Sequence, residues 1–229
     1  MCGRKTLTKD KTEIIKEYLV KESNADFDWQ PSYNIAPSQT TPILVYDGER
    51  KIIPMRWGLL PFWADDKKIG YKMINARIET LTEKRSYAPL LKDYRCIVIT
   101  DGYYEWKTDN SGKQPYYIFR DDHGFMPMAG LWSQWQSQNG EVINSYTVIT
   151  TEPAEKIAHI HNRMPAIITR DTLDAWLNIE KFTAGKAIDL LKPVQKKLNY
   201  YPVSKYMNSP KNNSPKCIEK YTAENPRLF

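Results

Sequence analysis

Cys2 carries the pair of groups with the most distinctive chemistry in this sequence. If Met1 is removed, as is usual before a small second residue, Cys2 has a free α-amine and a thiol on adjacent carbons. Such an aminothiol attacks an aldehyde twice: the amine forms an imine, and the thiol then closes a thiazolidine ring, an intramolecular step with a very high effective concentration. The amine titrates at about 7.7–8.0 and the thiol at about 8.5, so both are partly available near neutral pH. A cysteine here is equally compatible with a terminus that has no function.

His161 lies in the segment His-Ile-His-Asn-Arg-Met-Pro at 159–165, where a predicted helix gives way to a predicted strand. Two histidines around one residue could mark a metal site, but the chain holds only 3 His and no Cys or acidic cluster lies nearby. A zinc shell would therefore need distant ligands, and no metal is expected. A general acid–base role and a purely structural role both remain open for this residue.

Glu105 and Asn75 are two further candidates with polar chemistry. Glu105 stands between Tyr104 and Trp106, near a predicted strand end. If it is buried, desolvation raises its pKa and suits it to proton transfer; if it faces water, it has no special property. Asn75, two residues before Arg77, is a neutral donor and acceptor, and its sequence context alone assigns it no role.

Basic and aromatic residues occur close to these candidates in the sequence. The cations are Arg4, Arg77, Arg85 and Arg163, and the aromatics are Trp57, Phe62 and Trp63. Arginines that hold phosphates, beside aromatic rings that stack on bases, are typical of proteins that bind single-stranded nucleic acid. Exposed arginines and buried tryptophans are also common elsewhere, so the sequence alone does not place these residues in one groove.

Length, charge and cysteine content limit the class of protein. The 229 residues fit one domain, and Lys and Arg exceed Asp and Glu by 33 to 27, a net charge of +6 that is compatible with a polyanionic partner. The 3 cysteines, at 2, 96 and 217, are too few and scattered for a disulfide framework. No apolar stretch reaches the roughly 20 residues of a membrane span, and no signal peptide is apparent. A reducing cytoplasm is therefore expected.

The elements that must position these residues alternate irregularly. Helices are predicted at 8–21, 82–91, 153–159, 171–177 and 183–191, with Asp171 as a cap, and strands at 43–46, 51–55, 95–100, 115–120, 126–135, 142–150 and 164–169. Strands outnumber helices, which predicts a single α+β domain around a mainly antiparallel, barrel-like β-sheet flanked by helices. From 204 onward the chain is rich in Asn, Lys, Pro and Ser, which predicts a poorly packed tail.

Six separated blocks together resemble one known family. They are Met-Cys-Gly-Arg at 1–4, Tyr-Asn-Ile-Ala-Pro at 33–37, Arg-Trp-Gly-Leu-Leu-Pro at 56–61, Asn-Ala-Arg-Ile-Glu-Thr at 75–80, Asp-Gly-Tyr-Tyr-Glu-Trp at 101–106 and His-Asn-Arg-Met-Pro at 161–165. In this order they resemble the SRAP (SOS-response-associated peptidase) family, which includes abasic-site processing proteins. The likeness runs from Cys2 to about Ile218, so a SRAP domain is expected at 2–218 and a C-terminal tail at 219–229.

The resemblance implies a function and a set of roles. It implies covalent protein–DNA linkage, with Cys2 forming a thiazolidine at an abasic site in single-stranded DNA and so shielding the lesion. Asn75 would hold the opened sugar, Glu105 would shuttle protons, and His161 would assist sugar ring opening and crosslink reversal. The implied DNA contacts are the phosphate-binding Arg4, Arg77, Arg85 and Arg163, the base-stacking Phe62 and Trp63, and Pro37 in a strand-splaying loop. Phe62 and Met164 depart from some relatives, which weakens stacking at 62 and removes one basic contact at 164.

Two other functions fit the same residues. A cysteine peptidase, including a self-processing one, would use Cys2 as nucleophile, His161 as base and Glu105 as its orienting group. A non-catalytic module would bind single strands with salt-sensitive affinity that is independent of the lesion. For the crosslinking function, the expected partner is single-stranded DNA with abasic sites, with no cofactor, metal or membrane. A monomer is expected in the cytoplasm, at the nucleoid when bound to DNA.

Overall fold

The computed structural model describes residues 2–110, 112–191 and 197–222. Its strands are β1 Lys5–Leu7, β2 Ser32–Ile35, β3 Thr40–Tyr46, β4 Arg50–Trp57, β5 Asn75–Arg77, β6 Arg95–Val98, β7 Gly102–Asp109, β8 Gly112–Arg120, β9 Met128–Gln136, β10 Val142–Thr151, β11 Met164–Pro165 and β12 Leu198–Pro202. Its α-helices are α1 Lys11–Tyr18, α2 Ala88–Asp93, α3 Arg170–Leu177 and α4 Ala184–Asp189. Short 3₁₀ helices lie at Glu22–Asn24, Lys67–Lys72, Ile78–Thr80, Glu155–Ile157, Lys205–Asn208 and Pro215–Ile218.

Five strands close into a barrel in the order β10-β4-β3-β6-β9, because β9 pairs back onto β10. The β9–β10 and β3–β4 hairpins are long antiparallel ladders, whereas β10 runs parallel to β4 and β5. Side chains alternate between the two faces of each strand, so every second residue enters the interior. Val98, Met128, Leu131 and Val148 are among the apolar residues of this core. Closure leaves these strands with few exposed edges.

A second sheet places the N-terminus beside the middle of the chain. Its order is β12-β8-β7-β1-β2, so the short strand β1 lies between β2 and β7. Lys5 pairs with Tyr103 and Thr6 with Gly102 in an antiparallel register. This pairing brings residues 2–4 alongside the segment of β7 that contains Glu105, because the two chains run in opposite directions.

The architecture confirms the predicted fold class, a single α+β domain built on a barrel-like and mainly antiparallel sheet. No helix among the residues that the structure describes is long and apolar enough to cross a membrane.

Several predicted helix boundaries were wrong. Helix α1 begins only at Lys11, because Asp10 and Glu13 form a capping box, and it ends at Tyr18, because Leu19 adopts the left-handed conformation with φ 51°. Helix α2 starts at 88 rather than 82, with a proline in its first turn. The segment 153–159 forms only a single 3₁₀ turn, Glu155–Ile157.

The region around residue 170 also differs from the expectation. The predicted strand at 164–169 is only two residues long, and the cap of α3 is Thr169 rather than Asp171, which lies in the first turn. Thr169 and Thr172 exchange hydrogen bonds across this turn. The N-terminus of α3 is therefore capped by a pair of threonines and not by the predicted aspartate. The predicted helix at 183–191 is confirmed in shortened form as α4.

The prediction of a poorly packed tail from residue 204 was wrong for its first part. Met207 and Cys217 are buried in a cluster with Tyr104 and Phe119. Asn34, also buried, donates hydrogen bonds from Nδ2 to the carbonyl oxygens of residues 207, 209 and 212, at 2.9, 3.0 and 2.6 Å. The prediction from the polar composition failed because the side chain of one internal asparagine donates hydrogen bonds to the backbone carbonyl groups of this segment. The domain end at 218 remains a prediction, and 223–229 lie outside the described residues.

Replacing Asn34 with alanine is expected to destabilise the protein by about 2–4 kcal/mol, because one buried and two partly buried backbone acceptors lose their donor at once. Asn34 Oδ1 also accepts a 2.6 Å hydrogen bond from Arg4 Nη1, so the guanidinium loses a partner as well. Urea unfolding measures the change. The exposed Asn199 supplies the control, Asn199→Ala, which should change stability by less than about 0.5 kcal/mol. Equal stability of both variants would show that Asn34 does not hold the segment.

Candidate functional site

Asn75 contacts the backbone of Cys2, although 73 residues separate them in sequence. Its Nδ2 donates a 2.8 Å hydrogen bond to the carbonyl oxygen of Cys2. Strand β5 holds Asn75 in place by pairing it with Val148 of the barrel strand β10. The other amide atom, Oδ1, is buried and makes no hydrogen bond within the described part of the chain. A buried acceptor in this state is available to a donor group of a ligand.

Glu105 is buried on β7, with only 2% of its surface exposed. Desolvation raises the pKa of this carboxyl group from 4.5 to about 7, while the positive charge of the N-terminus opposes the rise. A carboxyl group with a pKa near neutrality exchanges protons readily in both directions at physiological pH.

His161 lies in the loop that leads to β11 and is half-buried. Its Nδ1 accepts a 3.0 Å hydrogen bond from the backbone N–H of Arg163, which fixes the ring in the loop. Burial lowers the pKa of His161, and the positive N-terminus lowers it further. His161 and Glu105 line one open cavity of about 330 Å³, together with Trp106, Thr108 and Lys113.

The thiol of Cys2 is buried in the apolar core. Burial raises the pKa of this thiol to about 12, and the negative charge of Glu105 adds to the rise, whereas the N-terminus and Lys5 lower it. Its Sγ donates a weak hydrogen bond of 3.9 Å to the carbonyl oxygen of Arg4. The sulfur is therefore protonated at neutral pH, so an amine at this terminus would act as the first nucleophile.

The four candidate arginines have different surroundings. Arg77 and Arg85 are exposed, and the guanidinium of Arg85 lies 5.5 Å from the ring centroid of Trp63. Arg163 forms a bidentate ion pair with Glu79, at 2.6 and 3.0 Å. Arg4 is buried, and its guanidinium donates to Asn34 and to the carbonyl oxygens of residues 207 and 208. Arg4 and Arg163 thus already have internal acceptors, and phosphate binding by all four arginines remains a prediction.

The candidate aromatic residues are divided between surface and core. Phe62 is 63% exposed and Trp63 is 37% exposed, on the irregular segment that follows β4. Trp57 was grouped with them on the sequence, but it is fully buried, and its ring stacks on Tyr146 with a centroid separation of 6.3 Å. Trp57 is therefore a core residue with no free face for a base. Pro37 is half-buried in the turn before β3.

A model of the family described as SOS response associated peptidase (SRAP) matches residues 1–210 of the chain. The chain belongs to the SRAP family. It is 41% identical to the abasic site processing protein YoqW of Bacillus subtilis (strain 168) over 224 residues, which cover 96% of this chain and all of YoqW. It is 35% identical to the abasic site processing protein HMCES of Xenopus tropicalis, over 95% of this chain and 78% of HMCES.

The fold of this SRAP protein is also that of a solved structure. A crystal structure of a protein from Bacteroides thetaiotaomicron superimposes with a TM-score of 0.83, at 26% identity, over 96% of this chain and all of that one. The likeness extends over nearly the whole chain, so it includes both the closed barrel and the second sheet.

The two other cysteines of this SRAP protein are structural in their surroundings. Cys96 is buried on β6, and Cys217 packs in the cluster around Tyr104. Within the described ranges no group of three His, Cys, Asp or Glu side chains is placed to hold a metal ion.

Two residues near the SRAP site were missed on the sequence. Lys5 is fully buried on β1, and Tyr103, its partner on β7, is buried with a hydroxyl that has no hydrogen-bond partner among the described residues. A lysine in a polar stretch normally indicates an exposed side chain, so no pattern pointed to Lys5. Only the position of Lys5, three residues after Cys2 in an extended segment, could have indicated that it lies near the site.

Proposed function

We propose that this protein processes abasic sites in single-stranded DNA by forming a covalent thiazolidine with its N-terminal cysteine. The observation that carries the proposal is the convergence of Asn75 and Glu105 on Cys2 in a chain of the SRAP family. The relatives named abasic site processing proteins support the same substrate. In the unprocessed chain the nitrogen of Cys2 is part of a peptide bond, so the chemistry requires loss of Met1.

In the proposed reaction His161 first assists opening of the sugar ring, which exposes an aldehyde near the terminal amine. The uncharged amine of Cys2 then adds to the aldehyde carbon. Glu105 then donates a proton to the departing oxygen, which leaves as water and gives the imine. The buried Oδ1 of Asn75 accepts a hydrogen bond from a sugar hydroxyl and so fixes the position of the carbon.

Ring closure completes the crosslink. The sulfur of Cys2 adds to the imine carbon to form a C–S bond, and the proton of the thiol goes to the nitrogen. The product therefore has the combined mass of protein and DNA minus one water. Cysteine peptidases rely on a thiolate with a lowered pKa, whereas burial raises the pKa of this thiol to about 12. This difference disfavours the peptidase function.

The decisive experiment uses protein without Met1 and an oligonucleotide that contains one abasic site. The expected result is a band of lower mobility that survives denaturant, with an intact mass that is one water below the sum. The same oligonucleotide with an intact base should give no such band. A stable crosslink formed equally well by protein that retains Met1 would overturn the proposal, and lesion-independent binding alone would favour a non-catalytic module.

We further propose that Arg77, Arg85, Phe62, Trp63 and Pro37 line the path of the strand, with Arg4 and Arg163 nearer the lesion. For Arg77→Gln, binding to an intact single strand should weaken and the slope of log K against log salt should decrease by about 1, as expected for the loss of one phosphate contact. The control is Arg170→Gln, at the exposed start of α3. Fluorescence anisotropy over a salt series measures both. Identical slopes for the two variants would place the strand elsewhere.

A further inference from the structure

Asn208 connects the C-terminal segment to the candidate site through two different groups. Its side-chain Oδ1 accepts a 2.9 Å hydrogen bond from Nε1 of Trp106, the residue that follows Glu105 on β7. Its backbone carbonyl oxygen accepts a 3.1 Å hydrogen bond from Nη2 of Arg4, two residues after Cys2. One residue from the last part of the chain therefore contacts both of the segments that carry the site.

The backbone around Asn208 is held on both sides. Asn34 donates hydrogen bonds from Nδ2 to the carbonyl oxygens of the two neighbouring residues, Met207 and Ser209, at 2.9 and 3.0 Å. Met207 is also buried in a cluster of side chains against which Trp106 packs. The fold therefore fixes the backbone of Asn208, so that its side-chain oxygen is presented to the indole although Asn208 itself is exposed.

Trp106 also lines the open cavity of about 330 Å³ that Glu105 and His161 share. Adjacent residues of a strand point to opposite faces, so a cavity that both Glu105 and Trp106 reach lies at an edge of β7. One edge of β7 is paired with β8 along the whole of residues 102–109. The cavity therefore lies at the other edge, along which residues 2–4 run beside β7.

We propose that Asn208 is a positioning residue, which holds the indole of Trp106 at the wall of this cavity and so keeps the cavity open for the abasic nucleotide. The inference rests on the proposed function and adds a residue to it. Without the Asn208 acceptor, the indole N–H needs another partner, and water in the cavity supplies one when the ring turns inward. A ring in that orientation occupies the space that the opened sugar needs beside Glu105 and His161. The apparent affinity for the lesion then falls in proportion to the fraction of molecules whose cavity remains open.

The first test follows the indole without DNA. In the NMR spectrum of isotope-labelled protein, the Nε1–H resonance of Trp106 is identified by its loss in Trp106→Phe. Asn208→Ala should shift this resonance and speed its exchange with solvent, whereas Asn208→Asp keeps the acceptor oxygen and should keep the slow exchange of the wild type. Asn199→Ala, at an exposed asparagine of β12, should change neither. These variants are expected to fold, since one hydrogen bond at the surface contributes little to global stability.

The second test measures the rate of crosslinking by protein without Met1 against the concentration of an oligonucleotide with one abasic site. For Asn208→Ala the half-saturating concentration should rise roughly two- to tenfold, the equilibrium effect of one hydrogen bond, while the rate at saturation stays at the wild-type value. A loss of folded protein would instead lower the yield of crosslink at every concentration. Trp106→Phe lacks the N–H and should also show a rise, to which Asn208→Ala should add nothing.

The results separate the role of Asn208 from the proposed function. An indole resonance that is unchanged in Asn208→Ala, or a released indole with an unchanged half-saturating concentration, would overturn the role of Asn208 even if the wild type crosslinks abasic DNA. Additive effects of Trp106→Phe and Asn208→Ala would overturn it as well, because Asn208 would then act other than through the indole. A wild type that binds the abasic oligonucleotide without crosslinking would reject the proposed function instead, and weaker binding by Asn208→Ala in fluorescence anisotropy would still support the open cavity.

Discussion

Cys2→Ala is expected to abolish the heat-stable crosslink to abasic DNA and to leave a crosslink that appears only after borohydride treatment. Alanine at position 2 is small, so Met1 is still removed and the terminal amine is retained. This amine forms a reversible imine, but no sulfur is present to close the ring, and water reverses the adduct. Denaturing gels with and without borohydride measure the two species. Cys2→Ser has a weaker nucleophile and should give at most a less stable adduct.

Cys217→Ala is the matched control, because it removes a different buried thiol, one that packs against Tyr104. It should give the same yield of heat-stable crosslink as the wild type. A heat-stable band of wild-type intensity in Cys2→Ala would mean that another nucleophile captures the lesion, and the proposed roles of Asn75 and Glu105 around Cys2 would both have to be abandoned.

Glu105→Gln should slow imine formation by about 100-fold, at the lower end of the range for loss of a general acid–base group. Glutamine keeps the shape of the side chain but cannot transfer a proton. The pH dependence is the sharper readout: with a pKa of about 7, the carboxyl group of the wild type changes protonation across neutrality, and this inflection should be absent from the rate profile of the variant.

Glu105→Gln should slow the reaction, but it should increase the stability of the folded protein at high pH. The folded protein holds the Glu105 proton up to about pH 7, whereas the unfolded chain releases it near 4.5. Between these values the folded state binds more protons, so the favourable effect is complete below about pH 4.5 and is lost as pH rises through about 7. Glutamine does not titrate, so the stability of Glu105→Gln does not fall over this pH range. Above pH 8 it should be more stable than the wild type, by at most about 3 kcal/mol.

Urea unfolding at pH 5 and pH 8.5 measures this effect, with the exposed Glu152→Gln as the control that should change neither rate nor stability. A variant that loses activity and stability together at pH 8.5 would contradict the view that burial of Glu105 opposes folding. Loss of activity with a gain of stability is the pattern of a residue that is held in an unfavourable environment for the sake of chemistry.

The candidate residues of the site were selected from the sequence and their chemical roles remain predictions, whereas their packing could not be predicted. Cys2, Glu105 and His161 were selected by residue type and position, whereas Asn75 was selected only through the resemblance to the SRAP family. The structure brings Asn75 to the backbone of Cys2 and places Glu105 and His161 on one cavity. The strand pattern also predicted the barrel, since a period of two is a strong signal in long hairpins such as β9–β10.

The helix boundaries failed for local reasons, whereas the errors about burial share another physical cause, since each depends on a contact between residues distant in sequence. A lysine and an arginine are expected at the surface by residue type, but Lys5 is buried beside the stacked rings of Trp57 and Tyr146, and Arg4 is bound by Asn34 and the 207–208 carbonyls. The segment after 204 appears disordered by composition, but it is ordered by hydrogen bonds to Asn34. No local pattern contains such information, because the partner lies up to 204 residues away.

The location of β1 has a consequence for how the protein is made. Two contacts hold the N-terminal segment: β1 pairs with β7, and Arg4 donates to the carbonyl oxygen of residue 207. Neither contact can form until its partner has been synthesised. At about 5–20 residues per second, the hundred residues between Cys2 and β7 take on the order of 5–20 s to synthesise. The nascent end is open to an aminopeptidase during this interval. Removal of the initiator methionine after folding would have to act on a chain in which Cys2 is already buried.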